Sequence, residues 1–306
     1  MSNYAPAYVP VVVFCYNRLW HLQQTISALR QNTLATQTPL IIYADAPKND
    51  LEKQKTAFIK AYLQTLNNST DFLSVTLIFR KTNFGLAKSI IEGATEVLEK
   101  YGKAIFLEDD LVSSPDFLQY MNDALVLYED NKKIYSISGY NPPIDIPKSF
   151  LEKSTYLCPR ACSWGWATWL HKWQKNDWQV LDFEEFIKDK EAQKKFHLGG
   201  DDMTVMLLKQ QKKINNSWAI RWGYTHFKYD VFCLYPIKTK IHNIGNDGAG
   251  THAPRTRKYS HKKPLTTNSY ILEQNPLPNK EMISIFARFY NLSIIRKIIN
   301  WFTFGV

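Results

Sequence analysis

The chain has 306 residues, 45% hydrophobic and 14% aromatic, enough for a large core in one large domain or two smaller ones. It contains neither a run of roughly 18–20 apolar residues, as a spanning helix needs, nor a basic-then-apolar leader. That leaves no candidate spanning helix, and the expected place is the cytoplasm, with peripheral contact at the inner face of the cytoplasmic membrane as a further expectation, while the net charge of +10 suits nucleotide phosphates, nucleic acid or an anionic membrane surface without choosing among them.

The first ~140 residues alternate strand and helix signals. Val9 to Cys15 reads as a strand, Leu19 to Leu29 as a helix, Pro39 to Ala44 as a strand and Leu51 to Leu66 as a helix. Phe72 to Phe79 is a strand, and the turn Asn83-Phe84-Gly85 opens a helix from Leu86 to Lys100. Lys103 to Leu107 is a strand, Pro115 to Tyr128 a helix and Lys133 to Ser138 a strand. This alternation predicts an α/β fold with a mainly parallel sheet and helices on both faces. Ligands of such sheets sit outside the carboxyl ends of the strands. Arg18, Asp45 and the triplet Glu108-Asp109-Asp110 all follow strands, so they should line one crevice.

After Asn141-Pro142-Pro143 the chain is rich in Trp, Tyr and Lys, with weaker periodicity. A division follows: an α/β half over 1–140, a second half over 141–265, and an extension over 266–306. Residues 243–256 are glycine-rich and polar and read as a mobile loop. Glu281 to Phe302 reads as one basic amphipathic helix, a candidate for packing on the core, for an oligomer contact or for a membrane surface. Cys15, Cys158, Cys162 and Cys233 lack zinc-ligand spacing and read as reduced thiols.

The triplet Glu108-Asp109-Asp110 is the sharpest chemical signal. Three carboxylates at the end of an apolar strand are costly unless compensated. A hard cation shared with substrate phosphates would offset that cost; an acidic turn that caps the next helix is the simpler alternative. Asp201-Asp202 after Gly199-Gly200 offers a second acidic pair, either for proton transfer or as a helix cap. Trp164 and Trp166 suit either a sugar-stacking platform or the core.

Taken together, these segments resemble GT-A-fold glycosyltransferases, and most closely the inverting N-acetylglucosaminyltransferase I family. Val11 to Arg18 looks like that family's first strand and turn, Ile41 to Asp45 like its second strand, and Glu108 to Phe117 like its acidic strand end and following helix start. Ser163-Trp164-Gly165-Trp166 falls where the family has an acceptor-side segment, Gly199 to Met203 looks like its second acidic pair, and Tyr235 to His252 like its donor-closing loop. The turn at Asn83 to Ser89 looks instead like one common in other bacterial glycosyltransferases.

The resemblance implies a metal-dependent transfer from a nucleotide-sugar, UDP-linked by preference, to a saccharide or polyprenyl-linked saccharide in surface-polysaccharide synthesis. It implies Asp110 as the ligand of Mn²⁺ or Mg²⁺, and Arg18, Asp45, Lys88, Glu108, Asp109, Gly248 and His252 around the donor. Trp164 and Trp166 would face the acceptor, and Asp201, with Asp202 as the alternative, would be the general base. A sugar-nucleotide nucleotidyltransferase would carry a glycine-rich phosphate loop after the first strand, where Cys15-Tyr16-Asn17-Arg18-Leu19 has no glycine. A non-catalytic carbohydrate binder stays open as an alternative, whereas no motif supports a nucleic-acid partner.

Overall fold

A computed structural model describes residues 8–248 and 255–304. The elements in order are β1 (Val11–Cys15), α1 (Leu19–Arg30), β2 (Pro39–Ala44), α2 (Asp50–Gln64), β3 (Ser74–Phe79), α3 (Gly85–Tyr101), β4 (Lys103–Glu108), β5 (Leu111–Ser113) and α4 (Phe117–Leu127). Then come β6 (Ile134–Ser138), β7 (Thr155–Cys158), β8 (Trp166–Trp169), α5 (Leu170–Trp173), α6 (Phe183–Phe186), α7 (Lys190–Phe196), α8 (Asp202–Gln211) and α9 (Trp218–Lys228). The chain closes with β9 (Phe232–Pro236), β10 (Ile241–Asn243), α10 (Lys280–Tyr290) and α11 (Ile294–Phe304).

One sheet of eight strands runs in the order β3-β2-β1-β4-β8-β6-β9-β7. The pairs among β3, β2, β1 and β4 are parallel, as is β6 with β9, while β8 and β7 run against their neighbours. The mainly parallel sheet expected from the sequence is present, and it continues past residue 140, so both expected halves share it.

The two faces of the sheet follow from the period of two along each strand. Val11, Val13, Leu40, Ile42, Ile105 and Leu107 pack toward α1, α2 and α4. Their alternates, including Val12, Phe14 and Phe106, pack toward α3 and a group of tryptophans that includes Trp166, Trp173 and Trp222. Strands buried on both faces explain why β1, β2 and β4 read as unbroken apolar runs. All four cysteines are free thiols, as expected.

Two local expectations change. The acidic triplet does not lead straight into a helix: Leu111–Ser113 forms β5, which pairs antiparallel with β10. A three-residue strand with no long apolar run carries too little pattern to be read from sequence. The single helix expected over 281–302 is two, because Asn291 is extended and ends α10. Met282 and Phe286 of α10 are fully buried in a satellite core with β7 and β9, whereas α11 lies differently. No helix among the described residues is long and apolar enough to cross a membrane.

Candidate active site

A cavity of about 440 Å³ opens at the carboxyl ends of β1, β2 and β4. Parallel register sets this position: Phe14 of β1 pairs with Glu108 of β4, and Cys15 of β1 with Ala44 of β2. The residues immediately beyond, Arg18, Asp45, Asp109 and Asp110, therefore reach one place despite their separation in sequence.

Asp109 and Asp110 are buried. The Arg18 guanidinium donates to both carboxylates, at 2.8 Å to Asp110 Oδ2 and in a closer contact with Asp109. Three acids thus face one arginine. Burial, then the charges of Asp110 and Asp109, push the Glu108 carboxyl up to about 8. Burial raises Asp109 to about 6 against the pull of Arg18. The site holds more negative charge than its own cation balances, and an oxygen-only donor set of this kind suits a hard divalent cation.

Among the described residues, no group of three or more His, Cys, Asp or Glu is arranged to enclose a metal. Asp110 is the acid at the point of closest approach. Ile244 N donates to its carbonyl at 2.9 Å, a contact that extends the β5–β10 pairing. That pairing lays Gly245 on the Asp110 carboxylate, where a Cβ at Gly245 would lie 2.0 Å from Oδ2. Only a residue without a side chain permits this approach. Asn243 and Asn246 complete the wall.

Asp45 lines the cavity, but its carboxylate is already occupied. It accepts from Ala46 N, Phe84 N and Gly85 N, each at 2.9 Å, and from Asn83 Nδ2 at 3.2 Å. The carboxylate expected at the donor instead holds the turn that starts α3. Gly85 there has φ +69°, which favours glycine. Lys88 is also revised, because it is exposed, lies 4.3 Å over the Phe84 ring and pairs with Glu92 at 3.7 Å. Gly85, Leu86 and Ser89 of that turn line the cavity in its place.

A second cavity of about 240 Å³ adjoins the first, with Trp164 and Asn246 lining both. Its walls include Tyr140, Arg160, Tyr259 and Tyr290. Trp164 packs edge-on to Tyr140 and Tyr259, at 4.6 and 5.4 Å between centroids. Trp166 does not join it. It is 2% exposed and lies against Phe106, Trp173 and Trp218 at 4.4 to 5.3 Å, so its expected acceptor role is corrected to a core one. Alternation along β8 puts one tryptophan of the Trp-Gly-Trp segment inside, while the other stands before the strand.

The second acidic pair splits. Asp201 accepts from Leu292 N at 2.6 Å and pairs with Lys297 at 2.6 Å, so it faces the C-terminal helices and not the donor cavity. Asp202 is gripped two-pronged by Arg160, at 2.7 and 3.0 Å, and Arg160 lies 4.0 Å over Tyr290 in the wall of the aromatic cavity. Neither Asp201, the expected base, nor its alternative Asp202 lines either cavity. Arg160 and Asn246 were missed by sequence reasoning; only the long-range folds of β7 and β10 bring them in. Gly248 has φ +91°, is exposed and does not line the donor cavity, and His252 lies outside the described residues.

Residues 2–197 match the GNT-I family. No curated protein matches the chain. Among solved structures, S. aureus TarS (residues 1–349) is similar at 14% identity, covering 53% of this chain and 47% of that one, with a TM-score of 0.35. The mannosyltransferase PcManGT from Pyrobaculum calidifontis, solved with GDP-Man and Mn²⁺, is similar at 15% identity, covering 53% and 45%, with a TM-score of 0.36. The chain thus matches less than half the length of either structure.

Proposed function

The chain belongs to the GNT-I family, and from that premise we propose that it is a metal-dependent inverting glycosyltransferase. The donor is a nucleotide-sugar, UDP-linked by preference, and the acceptor a saccharide carried on a polyprenyl lipid in surface-polysaccharide synthesis. The observation that carries this reading is the convergence of Arg18, Asp109, Asp110 and the Gly245 backbone at one cavity beyond the sheet.

Asp110 is the protein ligand of Mn²⁺ or Mg²⁺, which when bound supplies the positive charge that stabilises a departing diphosphate. Arg18 orients the two aspartates through Nη2, which donates to both, and adds positive charge near the phosphates. Glu108 and Asp109 hold hydroxyls of the donor, a task suited to carboxyl oxygens against groups rich in O–H. The loop at Gly245-Asn246 covers this region and limits water. Trp164 stands between the two cavities and presents a ring to the acceptor sugar. Asp202, paired with Arg160 of the aromatic cavity's wall, is the base that takes the acceptor proton.

Thermal-shift screening of nucleotide-sugars with and without Mn²⁺ tests the reading. One donor should raise the melting temperature only with metal, and Asp110→Ala should abolish the effect. No shift with any donor would overturn the assignment. For the base, Asp202→Asn should remove transfer, while Asp201→Asn should keep transfer and lower stability; the reverse result would restore Asp201.

A further inference from the structure

The terminal helix α11 is turned inside out relative to an ordinary surface helix. A helix packed on its own protein directs its apolar stripe inward. In α11 the buried residue is Asn300, at 5% exposure, and Lys297 reaches inward to Asp201. The apolar side chains face out: Ile294 and Phe302 are each 77% exposed, Ile295 71%, Trp301 62%, Ile298 51% and Ile299 48%. At about 100° per residue these six span an arc of roughly 160° centred opposite Asn300. So many large apolar groups on one face mark a contact surface, since scattered single exposures are the norm.

We propose that α11 docks this protein on an anionic lipid surface through that outward face. With 11 residues the helix is too short to span and suited to lie in the interface. The charge around it fits a lipid surface better than a neutral apolar partner. From Arg255 onward the chain has nine basic residues and two acidic ones, none of the acids after Glu281, so this segment supplies +7 of the net +10. Lys209 and Lys212 of α8 stand beside the helix end, 5.7 and 5.3 Å from the Phe304 ring. Trp301, at one border of the apolar arc, is the residue type that sits at headgroup level.

The attachment is firm enough to orient the molecule. Helix α10 is anchored through Met282 and Phe286, and Asp201 clasps the connection through Leu292 N and Lys297. Tyr290, four residues before Ile294, lines the aromatic cavity. Docking through α11 therefore brings that cavity close to the lipid surface. The docking itself does not depend on which reaction the cavity performs.

The test is flotation of the full chain with phosphatidylcholine vesicles containing about 30% phosphatidylglycerol, beside vesicles of phosphatidylcholine alone, for the wild type and for Ile298→Glu combined with Phe302→Glu. Ile298 is half exposed and Phe302 mostly so, at the rim of a cavity that His197, Thr204 and Val205 also line, so the melting temperature of the variant should match the wild type and show that folding is intact. The wild type should float with the anionic vesicles and much less with the neutral ones, and the variant should partition about tenfold less. Equal flotation of wild type and variant, equal flotation on both vesicle types, or no flotation of the wild type overturns the proposal. If light scattering then shows a dimer that the variant dissolves, the face belongs to a second copy of the chain.

Discussion

Gly245→Ala is the sharpest probe of how the loop and the acidic strand end work together. The added Cβ would stand 2.0 Å from Asp110 Oδ2, 2.8 Å from its Cγ and 2.9 Å from Arg18 Nη1. Ordinary contact is about 3.5 Å, so loop and carboxylate must separate by roughly 1.5 Å. Asp110 has a short stem and is held by Arg18 at 2.8 Å, so it cannot swing aside without breaking that contact. If the loop rises instead, it no longer closes the cavity. Either way the cost falls on binding and turnover more than on folding. Overpacking at this rim should cost about 1 kcal/mol, or about 2–4 °C in melting temperature. Metal-dependent donor affinity should fall about tenfold, near 1.4 kcal/mol, and kcat/KM about a hundredfold, as expected for a displacement beyond 1 Å. Calorimetric titration of donor with Mn²⁺, together with initial rates, measures both. A variant that binds and turns over within about twofold of the wild type would refute the placement of Gly245 on Asp110.

Arg18→Met leaves the Asp109 and Asp110 carboxylates without the Nη2 they share, at a cost of about 2–3 kcal/mol in denaturant melts. Mn²⁺ should raise the melting temperature of this variant more than that of the wild type, and an unchanged melt would speak against the bridging role of Arg18. Trp166→Ala should cost about 3–5 kcal/mol, because it empties the centre of a stacked tryptophan group, whereas Trp164→Ala should chiefly weaken the acceptor. A Trp166→Ala protein with unchanged melting but lost transfer would return that residue to the site. His226 is fully buried: its Nδ1–H donates to the Trp222 carbonyl and its Nε2 accepts from Ser136, so the neutral ring is satisfied. Burial lowers its pKa to about 4. Its unfolded value near 6.5 lies above this, so the unfolded chain binds more protons between about 4 and 6.5, and stability falls with acid across that window. The loss by pH 4 should be roughly 3 kcal/mol, and replacing His226 with Gln should flatten the dependence of urea midpoints on pH; an unchanged slope would reject this origin.

The alternating apolar runs of the first 140 residues determined the parallel sheet by themselves, because strands buried on both faces admit few polar residues and helices leave a period of 3.6. With the sheet came the position of Arg18 and Glu108-Asp109-Asp110 at the strand ends, since parallel register aligns carboxyl ends wherever the strands lie in sequence. The glycine-rich loop was also visible, but which glycine meets Asp110 was not: the β5–β10 pair selects Gly245, and its two three-residue strands have no pattern of their own. Residue type was equally mute on side-chain engagement. Asp45 and Lys88 carry suitable chemistry, yet a turn claims the first and solvent the second. Trp164 and Trp166 are two positions apart, and only the start of β8 decides that one stands at a cavity and the other in the core. For Asp201 and α11 the decision lay in contacts across about ninety residues, where Lys297 and Leu292 take the acid and leave an apolar face outward, and for Asp202 it lay in Arg160, 42 residues before it. Local pattern fixes what is periodic along the chain; what each polar group binds is set by neighbours that only the packed chain brings near.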